Sequence, residues 1–341
     1  MTLTVDFGPN DIVKQIEKTG IKGQHLIFID DYSSTELENI FKTAEMLEPF
    51  WRNRIPLLEG KILCTQFFQP STRTRFSHET AMFRLGGNVI TESNPLVSSA
   101  AAKGESLYDS LRVTSQYADV IVLRHPDEGV IDTIEQLGSD ASPIISGGYG
   151  NVTHPTQGLL DMYTAYRALG GDFKEMTVMI ATPDLSRARS GQSFGLGLAR
   201  MGSKLIYSGT TGLGVPPVIR AKLKAMNANF TEVNDLTIGQ HEEMLADEAV
   251  DLLYLPGCSV KKGDPGRDDF LKKMAEFYFT LEGLQKIKQK SGKTVGLMHS
   301  LPRNEGEFDF AIDASEHELY FKQIGFSVPL RMSLLANICG V

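Results

Sequence analysis

The sequence predicts an α/β protein made of two doubly wound parallel-sheet domains, on three observations. Short β-branched apolar runs alternate with longer amphipathic stretches along the chain. At 341 residues the chain exceeds what a single hydrophobic core ordinarily serves. A glycine-rich run, SGGYGN at 146–151, followed by Gly170-Gly171-Asp172, interrupts the alternation near its middle.

The candidate strands are Lys61–Phe67, Asn88–Thr91, Val120–Leu123, Ile144–Ile145, Thr177–Ile180, Leu205–Tyr207, Asp251–Leu255 and Thr294–Met298. Helical periodicity covers Ser106–Tyr117, Gln157–Leu169, Gly191–Met201 and Pro217–Met226. Strands and helices in alternation give parallel sheets covered on both faces, with the working loops at the carboxyl ends of the strands. The expected division is residues 1–155 and 156–329, with the apolar last helix, 330–341, packing back on the first domain. The polar stretch GCSVKKGDPGRDD, 257–269, reads as a loop.

Composition narrows the function. Thirty-four Lys and Arg against 42 Asp and Glu give a formal charge of −8, which disfavours nucleic acid or an anionic membrane as partner. Three cysteines, Cys64, Cys258 and Cys339, lack metal-binding spacing and fit a reducing compartment. The start shows no secretory pattern and no apolar run approaches a membrane span, so a cytoplasmic protein is expected. No cofactor or metal is implied by any ligand cluster.

The most informative segment is Ser71-Thr72-Arg73-Thr74-Arg75, which follows a predicted strand and opens a predicted helix. One hydroxyl would suffice as a helix cap. Three hydroxyls and two guanidiniums at a helix start instead suit a phosphate, which the unpaired N–H groups and the helix dipole also favour.

That segment resembles the carbamoyl-phosphate signature of the aspartate/ornithine carbamoyltransferases. Three further motifs resemble the family's in the same order: Arg124-His125-Pro126, His154-Pro155-Thr156-Gln157 with Leu159-Leu160-Asp161, and His299-Ser300-Leu301-Pro302-Arg303. Phe83-Arg84-Leu85-Gly86-Gly87 and the Ser98-Ser99 and Lys103-Gly104-Glu105 stretch are similar to the aspartate branch. The resemblance implies that Ser71, Thr72, Arg73 and Thr74 bind phosphate and that Arg124, His154 and Gln157 address the carbamoyl group. It also implies that Ser99 and Lys103 reach in from a neighbouring chain of a homotrimer. Arg73, Thr74, Arg124, His154 and Gln157 are the expected catalytic set. The chemistry, attack of an uncharged amine on a carbamoyl carbon with expulsion of phosphate, needs positioning and charge stabilisation and no covalent nucleophile.

On the acceptor side, Arg189 falls where the family's carboxylate-binding arginine lies, and Leu301 and Pro302 where its backbone meets the acceptor amine. Aspartate is the first expectation for the acceptor, giving N-carbamoyl-L-aspartate. The family's aspartate enzymes carry an Arg-x-Gln element after the strand ending at Leu255, and here Gly257 and Ser259 stand in those places. Lys261 or Lys262 would have to substitute, or the acceptor lacks the second carboxylate or carries a different polar group; lysine poorly replaces a bidentate arginine. Two rivals remain: a non-catalytic homologue that binds carbamoyl phosphate, and an oxidoreductase. The latter would need Gly-x-Gly-x-x-Gly between strand and helix, whereas Gly191, Gly195 and Gly197 lie within a helical pattern.

Overall fold

The computed structural model describes residues 7–98, 100–257, 267–304 and 306–341. Ser99, Ser259, Lys261 and Lys262 lie outside the described residues. The chain divides into two compact units, one running up to Thr156 and taking in Gly325–Val341, the other Gln157–Ile324. Each carries its own all-parallel sheet.

In the first unit the strands are β1 (Ile62–Phe67), β2 (Asn88–Glu92), β3 (Val120–His125) and β4 (Ile144–Tyr149), in the order β2-β1-β3-β4. Central β3 is a continuous apolar run because both of its faces are covered, and Val120 to Leu123 are wholly buried. The chain winds outward from β1 to β2, then crosses to β3 on the other side. The crevice between the carboxyl ends of β1 and β3 is therefore the topological switch point, where open α/β sheets bind ligands.

The sequence reading ended the fourth strand at Ile145, but it continues through the glycines to Tyr149. Leu123 pairs with Ser146 while His125 pairs with Tyr149, so β4 carries an extra residue opposite Arg124. Gly148, at φ +110°, supplies the backbone conformation that this bulge needs. The run that reads as an interdomain signal is thus a bulge facing Arg124.

The helix Ser327–Cys339 is mostly apolar, is buried from Pro329 to Cys339, and packs against the helices Ser34–Leu47 and Thr72–Arg84. Ser333 Oγ donates to the Ile40 carbonyl at 2.7 Å. Burying Leu330, Met332, Leu334, Leu335 and Ile338 contributes about 1.5–3 kcal/mol per side chain before the entropy cost of ordering them. Near this helix His78 is completely buried, with its Nδ1–H donating to the Thr74 carbonyl at 2.8 Å. Burial, reinforced by the Arg331 charge, lowers its pKa to about 3. The unfolded chain, with a histidine pKa near 6.5, therefore takes up more protons, and stability falls as pH drops from about 6.5 toward 3 at up to about 1.4 kcal/mol per unit. Melting temperature is expected to fall more steeply between pH 6.5 and 4.5 in the wild type than in His78→Gln; equal slopes would show that His78 titrates freely in the folded state.

The second unit holds β5 (Thr177–Ala181), β6 (Lys204–Gly209), β7 (Phe230–Asn234), β8 (Leu252–Leu255) and β9 (Gly296–His299), ordered β7-β6-β5-β8-β9. Its switch point lies between β5 and β8. β7 escaped the sequence reading because it is an edge strand, half-exposed along its length, whose Phe-Thr-Glu-Val-Asn lacks an apolar run. The helix Arg189–Met201 packs on this sheet through its glycines. A Cβ at Gly195 would lie 1.9 Å from Tyr207 Oη, and one at Gly191 3.0 Å from Ile180 Cγ2. These glycines serve close helix–sheet approach, and no dinucleotide loop is formed there.

Candidate active site

The phosphate cradle begins where β1 ends. Phe67 is in register with Arg124 of β3, and the Phe68 N–H donates to the Arg124 carbonyl at 2.9 Å. The chain then turns through Gln69 and Pro70 into the helix Thr72–Arg84. Ser71 occupies the N-cap position with extended backbone, φ −159° and ψ 105°, but its side chain makes no capping hydrogen bond. The hydroxyl that the conservative reading would spend on the helix is not spent there. Thr74 is buried one turn in, Thr72 and Arg73 are exposed on the first turn, and Arg75 lies 3.8 Å from Glu79.

Arg124 and His154 meet beside this helix start's strand. Both are 8% exposed. Arg124 Nη1 donates to the Gly147 carbonyl at 2.8 Å and lies 3.4 Å from His154 Nε2. Arginine is only a donor, so this arrangement makes Nε2 the acceptor and leaves the ring proton on Nδ1. Nδ1 lies 3.4 Å from Thr156 Oγ1, whose hydroxyl donates to the Ser146 carbonyl at 3.3 Å. These contacts are long, but their directions agree, and both ends are tied to the bulged strand β4.

Lys103 is exposed at the end of a short 3-10 turn, Ala100–Lys103. Leu96 and Val97 just before it are also solvent-exposed.

In the second unit Gln157 Nε2 donates to Asp161 Oδ1 at 2.8 Å. A carboxylate only accepts, so the amide nitrogen faces Asp161 and Oε1 is the outward end. Asp161 is fully buried and also accepts from Tyr254 Oη at 2.8 Å and from Gln323 Nε2. Burial first, and then the Asp161 charge, raises the Tyr254 phenol well above its ordinary range.

Arg189 opens the helix Arg189–Met201 and is half-buried, and burial lowers its pKa. Neighbouring Arg187 is exposed and lies 3.5 Å from Asp184. Leu301 adopts φ +51° and is joined to Pro302 by a cis peptide bond. Its N–H donates to His299 Nδ1 at 2.9 Å, which helps to hold a leucine in the left-handed region. Arg303, the last residue of this motif, is committed elsewhere. It pairs bidentately with Asp313 and lies over the rings of Phe310, Tyr320 and Phe321.

Gly257 follows β8 by two residues and has φ +71°, and a Cβ there would meet His299 Nε2 at 3.1 Å and Ser300 Oγ at 3.5 Å. Ser300 Oγ donates to the Pro256 carbonyl at 2.5 Å and ties this strand end to that of β9. Among the described residues no group of three or more His, Cys, Asp or Glu side chains is placed to hold a metal ion. No described helix is long and apolar enough to cross a membrane.

Residues 24–167 match the family model of the aspartate/ornithine carbamoyltransferase carbamoyl-phosphate binding domain. A ureidoglycine carbamoyltransferase of Rubrobacter xylanophilus is 44% identical over 95% of this chain and 94% of its own. The chain belongs to the aspartate/ornithine carbamoyltransferase family. The aspartate carbamoyltransferase catalytic subunit of Methanocaldococcus jannaschii is 39% identical over 92% of this chain and 97% of its own. The solved structure of Trypanosoma cruzi aspartate transcarbamoylase with carbamoyl phosphate and aspartate superposes with a TM-score of 0.79 at 26% identity, covering 94% of this chain and 96% of that one.

Within this carbamoyltransferase the sequence reading named the residues expected to touch ligand but missed those that aim them. Asp161 was quoted only as part of a motif, and its role as the acceptor for Gln157, Tyr254 and Gln323 needs residues 93 and 162 positions away. The pairing of buried His299 with Glu307, Nε2 to Oε2 3.3 Å, was likewise invisible. The one available signal was that an acidic residue, Glu307, closely follows the His299–Arg303 motif.

Proposed function

We propose that this carbamoyltransferase uses an acceptor with one carboxylate and one neutral ureido group, ureidoglycine, in place of aspartate. The observation that carries this reading is Gly257. Its left-handed backbone and the crowding of its Cβ position by His299 disfavour the arginine that would grip a second carboxylate. Arg303 cannot stand in, because Asp313 and the surrounding aromatic rings already hold it. The 44% identity to a ureidoglycine carbamoyltransferase supports the same reading.

In this reading Ser71, Thr72, Arg73 and Thr74 hold the phosphate, and Arg124, with Thr74 and His154, stabilises the oxygen of the carbamoyl group. The outward Oε1 of Gln157 accepts from the carbamoyl NH₂. Arg189 takes the acceptor carboxylate, and the backbone at Leu301 and Pro302 takes its amine. The amine nitrogen forms the new C–N bond, the C–O bond to phosphate breaks, and phosphate carries off the amine proton. The product carries two identical ureido groups on one carbon and is allantoate. Lys103, on an exposed turn preceded by exposed Leu96 and Val97, completes the site of an adjacent copy in a cyclic homotrimer, along with Ser99.

Ureidoglycine carries an amine and a ureido nitrogen on one carbon and so loses ammonia readily, which makes the reverse reaction the better assay. With arsenate replacing phosphate, the enzyme is expected to consume allantoate, releasing ureidoglycine and a carbamoyl arsenate that hydrolyses. N-Carbamoylaspartate should be turned over at least a hundredfold more slowly, as expected of a site that leaves a buried charge unpaired. Arsenolysis of N-carbamoylaspartate alone would restore aspartate as the acceptor. Inertness toward both would favour the non-catalytic reading.

A further inference from the structure

A ureido acceptor requires a group that reads its neutral end, and the second unit holds a buried donor and a buried acceptor suited to it. At the carboxyl ends of β5, β8 and β9 lies a recess whose lining includes Thr182, Leu255, Gly257, His299 and Glu307. His299 is 1% exposed. Its Nδ1 accepts the Leu301 N–H at 2.9 Å, which places the ring proton on Nε2. Nε2 lies 3.3 Å from Glu307 Oε2, yet has no aligned hydrogen-bond partner among the described residues. Burying a donor whose nearest acceptor is poorly aligned is costly, and sites that bind ligand are where that cost is met.

Glu307 is 5% exposed and is fixed by Asn304, whose N–H donates to Oε2 at 2.6 Å and whose Nδ2 donates to Oε1 at 3.3 Å. Burial pushes its carboxyl up, but the contacts from His299 and Asn304 outweigh this and leave it below the ordinary carboxylate range. Glycine at position 257 keeps any side chain off Nε2, since a Cβ there would sit 3.1 Å from it.

A ureido group presents a carbonyl oxygen and N–H groups side by side, whereas a carboxylate presents acceptors alone. We propose that His299 Nε2–H and the Glu307 carboxylate are the specificity determinants for the acceptor. Nε2–H donates to the ureido oxygen, Glu307 accepts a ureido N–H, and the negative charge of Glu307 excludes acceptors with a second carboxylate. This rests on the ureido-acceptor reading above and assigns residues to it.

The experiment compares arsenolysis of allantoate and N-carbamoylaspartate in the wild type and three variants. Melting temperature and affinity for phosphonoacetamide, a carbamoyl phosphate analogue, control for folding and the donor half. Glu307→Gln is expected to raise KM for allantoate and to lower the allantoate preference about tenfold to a hundredfold. His299→Gln, which retains a donor near the Nε2 position, should preserve more of that preference than His299→Phe. Gly257→Ala, which sets a methyl against Nε2 while leaving His299 and Glu307 themselves unaltered, should raise KM for allantoate about tenfold while phosphonoacetamide affinity holds; this arm stands even where a His299 or Glu307 variant fails to fold. A wild type that prefers allantoate, with Gly257→Ala and any folded His299 or Glu307 variants retaining the preference unchanged, overturns the assignment and leaves the acceptor intact. A wild type that does not act on allantoate overturns both.

Discussion

Arg124→Ala is expected to lower kcat by about 10²–10³-fold, the effect of removing one preorganised donor from a developing oxyanion. The geometry supports an effect of that size. Arg124 is nearly buried, fixed by the Gly147 carbonyl and held opposite the bulge in β4. Alanine would remove the guanidinium and leave His154 Nε2 without that donor. Lysine should rescue only weakly, since a single ammonium cannot serve the Gly147 carbonyl, His154 and a ligand with the planar spacing of a guanidinium. Steady-state kinetics separates the outcomes. A fall in kcat with KM for allantoate little changed marks a transition-state contact, whereas a rise in KM alone would assign Arg124 to ground-state binding.

The second large effect concerns Asp161. Asp161→Ala should destabilise the folded state by about 3–5 kcal/mol, because buried donors from Gln157, Tyr254 and Gln323 lose their common acceptor. Chemical denaturation would read this as a lower midpoint at constant slope. Asp161→Asn keeps the volume and part of the network and should lose less stability. It should still lose activity, since an amide no longer dictates which end of Gln157 points outward. A loss under about 1 kcal/mol in the alanine variant would show that the three donors find other partners.

Much of the fold was legible because it rests on short-range patterns. The apolar runs of β1, β3, β5, β6, β8 and β9 are buried and stand out in the sequence, while β7, half-exposed along its length, needs no such run and was missed. Likewise Ser71–Arg75 was readable because strand, turn and helix start are contiguous there. The glycines at 147 and 148 were left out of the fourth strand because a bulge is defined by its partner strand, which a linear reading does not supply.

The sequence by itself determined the family, the two parallel-sheet α/β domains, and the presence of glycine at position 257. Each is a matter of residue identity at short spacing. Tertiary structure decided which cations are already committed and which polar groups are held in place. Arg303 is bound to Asp313, Gln157 is oriented by Asp161, and His299 turns its Nε2 toward Glu307 beneath a glycine. The physical reason is that a hydrogen bond's direction depends on both partners, and these partners are brought together only when separate strand ends and loops meet.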